Sequence, residues 1–516
     1  MRHAVAKIFS AEVEGITARV IEVEVDMHVG LPSFSIVGLA DKAVSEAKER
    51  VAAALKNTDC KPPTNENRTV TVNLAPADVK KNGSLHDVAI ALGYLISSAQ
   101  IGQSDVSRAL FVGELALDGA VRPVQGILNI CLMARQKGFL VAYIPRHNCA
   151  EVAFIDGIQI IPLDSLGGLI EHLEGKNPIV ACEAVPFIPG IDAGGVDMAD
   201  VRGHDAAKRA LIIAAAGGHN IIFSGPPGAG KTMLAQSLIS ILPPLSFTEA
   251  LEITGVYSAA GLLVGQPFIT HRPFRAPHHS ASLVSLVGGG SNPRPGEISL
   301  AHRGVLFMDE IPEFHRDVLE SLRQPLEDRV VHVARSKNTV VFPSDFLLVA
   351  AANPCPCGYY QDDKRACTCS AYDIIRYHKK ISGPLLDRID LHVWIGRIAS
   401  DDLRATVIDE HESSAYVRAR VTAARIKQAA RYELAGVRTQ INGSLSSKDA
   451  TRCVRVTPSA QRMLDILLDQ AHVSTRGYFK LLKIAQTIDD IDDKDIVDDV
   501  CIQEAFSYRM PSNSSV

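Results

Sequence analysis

No stretch of this chain approaches the roughly 20 consecutive apolar residues that span a bilayer, so no membrane segment is expected. Nor is a secretory leader expected: Met1-Arg2-His3-Ala4 is a short, polar start, and Glu12 and Glu14 follow early. Ten cysteines without such a leader point to a reducing, cytoplasmic setting where thiols stay free or hold metal. Nor is there an excess of basic charge. The formal net charge of −5 argues against a basic nucleic-acid coat, yet it leaves room for DNA in a local channel, since the field that matters is local. What is present, 47% apolar and 22% charged residues over 516 positions, is ordinary globular composition. That length predicts about three domains at ~150 residues each.

The most specific stretch runs from Asn220 to Met233. Ile221, Ile222 and Phe223 read as a short buried strand. The loop Gly225-Pro226-Pro227-Gly228-Ala229-Gly230-Lys231-Thr232 then satisfies the phosphate-loop pattern. Its glycines let the backbone approach phosphate, Lys231 supplies charge to the β/γ-phosphates, and the Thr232 hydroxyl suits Mg²⁺. Leu234, Leu238, Ile241 and Leu242 continue as a helix that Pro243-Pro244 stops, so the phosphates meet a helix N-terminus. ATP and Mg²⁺ are the expected cofactors.

Downstream, the buried strand Val305–Met308 delivers Asp309 and Glu310. Asp309 is expected to help hold Mg²⁺ and Glu310 to polarise the attacking water. A further strand, Phe346 to Ala352, ends at Asn353, whose amide suits a γ-phosphate sensor; a turn asparagine before proline is the alternative. Arg388, in Pro384-Leu385-Leu386-Asp387-Arg388-Ile389-Asp390, can serve a neighbouring subunit's γ-phosphate or pair locally with Asp387 or Asp390. Val330 to Phe342 reads as a hairpin with Arg335 and Lys337 at its tip, suited to DNA phosphates or merely solvated. Cys355-Pro-Cys357 and Cys367-Thr-Cys369 can form a closed zinc site; free thiols are the alternative.

These elements in this order are similar to the AAA+ ATPases, rings whose nucleotides lie between subunits. The extended segment His271 to Gly304 and the hairpin resemble inserts shared by magnesium chelatase ATPase subunits and MCM helicases. In AAA+ lids an arginine at the place of Arg476, in Ser474-Thr475-Arg476-Gly477-Tyr478, contacts the γ-phosphate. Ala415 to Arg438 reads as a basic helix bearing Arg418, Arg425, Lys427 and Arg431, explained equally by solvation or DNA, and Asp489 to Asp499 as an acidic tail.

Residues 1–178 read as an α+β domain, from the alternating strand around Val23, Val25, Met27 and Val29 to a hairpin at Asp118-Gly119. Lys81-Asn82-Gly83-Ser84 and Gly113 to Gly119 with Arg122-Pro123 resemble the proteolytic domain of Lon proteases. That family pairs a serine with a lysine, but the segment after Gly126 reads Ile127-Leu128-Asn129-Ile130. Ser84 therefore lacks its base, and the domain is expected to be proteolytically inactive.

The whole chain resembles the ComM/YifB group of magnesium-chelatase-like AAA+ proteins, from about residue 4 to 508. The expected fold is a Lon-like α+β domain (1–178), a linker (179–203), an α/β parallel-sheet AAA+ core (204–395), a helical lid (396–508) and a short tail (509–516). The resemblance implies a cytoplasmic homo-hexamer that uses ATP to move on single-stranded or branched DNA, a branch-migration helicase serving natural transformation. A chelatase-type ATPase subunit and an ATP-dependent protein-remodelling factor are the rival expectations.

Overall fold

Alternation builds the first sheet. Along Thr17–Val29, Ile21, Val23, Val25 and Met27 are buried while Glu22 and Glu24 stay partly exposed. Val29, expected on the apolar face, stands in solvent at the strand's end. The strand pairs antiparallel with Ala6–Glu14 and Arg68–Ala75, which sets Val23 between Ile8 and Leu74. Ser33–Val37, Ala109–Phe111, Val141–Pro145 and Gln159–Leu163 join through parallel pairings to complete a seven-stranded mixed sheet. Separate apolar clusters, around Leu92 and Val72 and around Leu110 and Ile130, cover it.

The computed structural model describes the chain except residues 1–4, 39–41, 64–66, 80, 82, 103–104, 191–194, 264–267, 291–292, 335–338, 363, 399–409, 471–472 and 510–516. The chain divides into two compact units. The first holds residues 1–188, 247–269 and 334–342; the second holds 189–246, 270–333 and 343–516.

In the first unit, the hairpin at Asp118-Gly119, whose strands the sequence predicts over Phe111 to Leu117 and Ala120 to Val124, is shorter, with Glu114–Leu115 against Val121–Arg122. Phe111 belongs instead to the large sheet, opposite Tyr143. Ser84 donates to the Glu114 carboxylate rather than to an amine. On the helix Ile127–Gln136, Asn129 donates its amide to the Gly255 carbonyl at 3.0 Å.

The second unit is built on a five-stranded sheet in the order Phe274–Arg275, Val305–Met308, Leu347–Ala352, Ile221–Ser224, Leu391–Trp394, with every pairing parallel. Val305–Met308 and Leu347–Ala352 are apolar and buried throughout, as strands of a parallel sheet covered on both faces are. The helices Asp205–Gly217, Lys231–Ile241, Ser414–Leu434 and Thr475–Ile491 share one core with it. The expected hairpin is present as paired strands Val330–Ala334 and Thr339–Pro343, and its tip residues Arg335 and Lys337 lie outside the described residues.

Two expectations about the C-terminal region are corrected. The acidic tail is in part core: Asp489 and Asp490 end a buried helix and are 0% and 4% exposed. Asp490 is accommodated there by Arg431 and by the amides of Asn442 (2.9 Å) and Gln486 (3.2 Å). The basic helix also points inward. Arg425 donates to the Ala215 carbonyl (3.0 and 2.6 Å), Arg418 to the Ser240 carbonyl (2.8 Å), and Lys427 pairs with Asp493 (3.2 Å). These charges tie helices together.

Candidate active site

Because the sheet is parallel, the C-terminal ends of Val305–Met308, Leu347–Ala352 and Ile221–Ser224 fall on one edge as neighbours. The loops leaving that edge carry Asp309 and Glu310, Asn353, and Gly225 to Thr232. This is where open α/β sheets bind ligands. Gly225 is dictated by packing, since a Cβ there would sit 2.1 Å from the Ile395 carbonyl oxygen. Gly230 caps the helix Lys231–Ile241, whose orphan amides open toward the loop.

Lys231 is 9% exposed, and its ammonium donates to the carbonyls of Gly225 (2.6 Å) and Pro226 (3.1 Å) and to Oδ1 of Asn353 (3.0 Å). Burial pulls its pKa below the usual lysine value, against the opposing charges of Asp309 and Glu310. The Thr232 hydroxyl donates to Oδ2 of Asp309 at 3.3 Å, and Oδ1 of Asp309 accepts the Glu310 amide at 2.9 Å. The hydroxyl and the carboxylate are hard oxygen donors side by side, the kind Mg²⁺ takes. Glu310 sits at φ 49°, a left-handed conformation that costs a non-glycine residue free energy and recurs at functional sites. Its carboxylate is 4.0 Å from Nδ1 of His279.

Arg388 and Arg476 are elsewhere. Arg388 lies three residues before the first residue of the strand Leu391–Trp394, and its carbonyl accepts the Asn220 side chain at 3.1 Å, at the N-terminal edge of the sheet. The four-residue strand Ile221–Ser224, about 13 Å long at ~3.3 Å per residue, separates that edge from the phosphate loop. Arg388 does not pair with Asp387 or Asp390 as its local alternative foresaw. It donates from Nη2 to Glu327 and from Nη1 to the Pro384 carbonyl (2.7 Å). Asp390 instead takes Lys480 at 2.8 Å and His219 at 3.6 Å. Arg476 donates to the other oxygen of Glu327, so the two arginines form one group.

Sequence reasoning did not find Glu327, His279 or Tyr377. Burial raises the pKa of the Tyr377 hydroxyl, against the opposing effect of the nearby Asn353 backbone amide. None of the three carries a local motif; each reaches the site through tertiary packing. The cysteines, by contrast, cluster as their spacing suggests, with all four Sγ atoms within 4.8 Å of one another.

Three family descriptions match in chain order: "Subunit ChlI of Mg-chelatase" over residues 23–148, "Magnesium chelatase, subunit ChlI" over 197–403, and its C-terminal region over 411–509. Competence protein ComM of Haemophilus influenzae is 38% identical over 509 residues, covering 98% of this chain and 97% of that protein. YifB of Escherichia coli is 40% identical over 495 residues, covering 96% and 95%. The chain belongs to the ComM/YifB family of magnesium-chelatase-like proteins. Similarity to the magnesium-chelatase 67 kDa subunit of Chlorobaculum parvum is narrower, 29% over 167 residues, 30% of this chain and 23% of that one. Membership in the ComM/YifB family makes the parallel-sheet unit an AAA+-type ATPase domain, with ATP and Mg²⁺ as its implied cofactors. Among the described residues, no helix is long and apolar enough to cross a membrane.

Proposed function

We propose that this protein is the subunit of a cytoplasmic homo-hexameric ring that hydrolyses ATP to move on single-stranded or branched DNA, a branch-migration helicase that aids integration of single strands. The observation that carries it is the separation of the two groups of site residues. Lys231, Thr232, Asp309, Glu310 and Asn353 gather on one sheet edge, while Arg388 and Arg476 stand together on the other. A chain so built holds a nucleotide at one edge and offers its arginines to a neighbour's nucleotide at the other, which is the logic of a ring.

In this reading Gly225 to Thr232 cradle the triphosphate, and Lys231 turns from the loop carbonyls to the β/γ-phosphates. Thr232 and Asp309 hold Mg²⁺, which neutralises phosphate charge when bound. Glu310 accepts a proton from the attacking water, and Asn353 orients that water or the γ-phosphate. Arg388 stabilises transition-state charge across the subunit boundary, and Arg476 contacts the γ-phosphate and couples hydrolysis to lid motion. Residues 396–508 act as the lid, and residues 1–178 as a Lon-like assembly module in which Ser84 has no catalytic part. The DNA assignment draws on similarity to a protein named for competence and on the hairpin tip with Arg335 and Lys337, proposed to touch the DNA backbone.

ATPase assays with four-way-junction, forked and single-stranded DNA test the reading, with stimulation by at least one of them expected. ATP hydrolysis that no DNA stimulates would overturn the DNA assignment in favour of protein remodelling. The chelatase reading is weakened by the short stretch shared with the chelatase subunit.

A further inference from the structure

Between Asn353 and the helix Ala371–His378 the chain runs through a long segment with no helix or strand among its described residues. Loops of this length inside a compact unit need something to close them. The thiols of Cys355, Cys357 and Cys367 lie 3.3, 3.7 and 3.6 Å apart pairwise, and Cys369 completes the cluster. Zinc–thiolate bonds of ~2.3 Å in a tetrahedron require sulfur–sulfur edges of about 3.8 Å, close to these separations. Backbone amides aim at the sulfurs, Tyr360 at Cys355 (3.3 Å) and Cys369 at Cys367 (3.4 Å), as donors that favour thiolates. Cys355 is fully buried.

This loop is built against the phosphate loop. Gly358 has φ 85°, and a Cβ on it would lie 2.8 Å from Cδ of Pro227, so its backbone packs directly on the proline ring. Two residues before Cys355, Asn353 accepts the Lys231 ammonium. On the far side, Ser370 caps the helix whose buried Tyr377 brings its hydroxyl back near the Asn353 amide. The cysteines therefore close a circuit running from Asn353 through both pairs and back to Asn353.

We propose that Cys355, Cys357, Cys367 and Cys369 bind one zinc ion as thiolates, and that this metal sets nucleotide affinity by holding Gly358 against Pro227 and Asn353 against Lys231. The nucleotide half rests on the ATP-binding reading above; the metal half does not.

The test uses the full-length protein purified without chelator. One zinc per chain is expected, and cobalt exchanged into the site should show the thiolate charge-transfer absorption of a tetrahedral sulfur site. The double variant Cys357→Ser, Cys369→Ser should lose the metal, whereas Cys453→Ser, outside the cluster, keeps it. Stripping zinc from the wild type should weaken binding of a non-hydrolysable ATP analogue at least about tenfold, since displacing positioning groups by ~1 Å costs that much or more. Re-adding zinc should restore it. Clearly substoichiometric zinc with no cobalt spectrum overturns the site. Full zinc whose removal leaves analogue affinity unchanged overturns the coupling. The Lys231→Ala protein should retain zinc while losing the nucleotide. Zinc-loaded wild type that binds no analogue removes the ATP reading, and the coupling with it, but leaves the metal site standing.

Discussion

Arg388 and Arg476 meet on a single carboxylate, each donating to a different oxygen of Glu327. Burial alone would raise the Glu327 pKa, but Arg388 and then Arg476 outweigh it and hold the carboxyl below its usual value. Two cations separated by 88 positions in sequence are thereby gathered at the edge of the sheet opposite the phosphate loop.

Glu327 is then expected to act as a positioning residue for Arg388 and Arg476. Glu327→Gln should leave the nucleotide affinity of the chain's own site unchanged. It should lower maximal turnover roughly 2- to 5-fold, the scale of a partly exposed ion pair. Binding and steady-state measurements together check the split; a fall in affinity equal to the fall in turnover would point to a merely structural role.

Action across a subunit boundary is tested by mixing. Arg388→Ala alone should bind ATP yet lose roughly 10³-fold in assembled turnover. Lys231→Ala keeps its arginines but has a disabled loop. Combining the two inactive proteins should regain part of the turnover, because some Arg388→Ala sites then face an intact Arg388. If mixing restores nothing, Arg388 serves its own nucleotide or none.

Glu310→Gln should bind ATP with wild-type affinity and hydrolyse it roughly 10²- to 10⁴-fold more slowly, the usual range for losing a general base. Single-turnover hydrolysis measures this directly. Normal hydrolysis would remove the base assignment.

Asp489 supplies a pH signature independent of catalysis. Burial, with the Asp490 charge added, raises its pKa from 3.8 to about 6. The folded state thus holds this proton more tightly than the unfolded one. The resulting stabilisation is full below the unfolded value, declines as pH rises, and is gone above about 6. Thermal melts of wild type and Asp489→Asn at pH 5 and 7.5 should show wild type gaining on acidification by a component that the variant lacks.

The phosphate loop, the acidic strand end, Asn353 and the cysteine pairs were legible because each is local. Their chemistry depends on residues a few positions apart, on a strand followed by a turn, or on a glycine where backbone must approach backbone. The C-terminal acidic run misled for the opposite reason. Asp489 and Asp490 look solvated in a string of aspartates, and only Arg431, Asn442 and Gln486, brought together by helix packing, make their burial possible. The basic helix misled likewise, since backbone carbonyls that accept Arg418 and Arg425 leave no trace in a sequence.

The sequence by itself determined the family, the nucleotide-binding loop and the identity of the residues around it, because a parallel strand and the loop that follows it are encoded in contiguous positions. The tertiary structure alone decided which edge of the sheet each residue occupies. It set Glu327 between two arginines and Tyr377 near the Asn353 amide, and it laid the cysteine loop against Pro227. Those are contacts between distant segments, fixed by how the sheet and its helices pack rather than by any local preference of the chain.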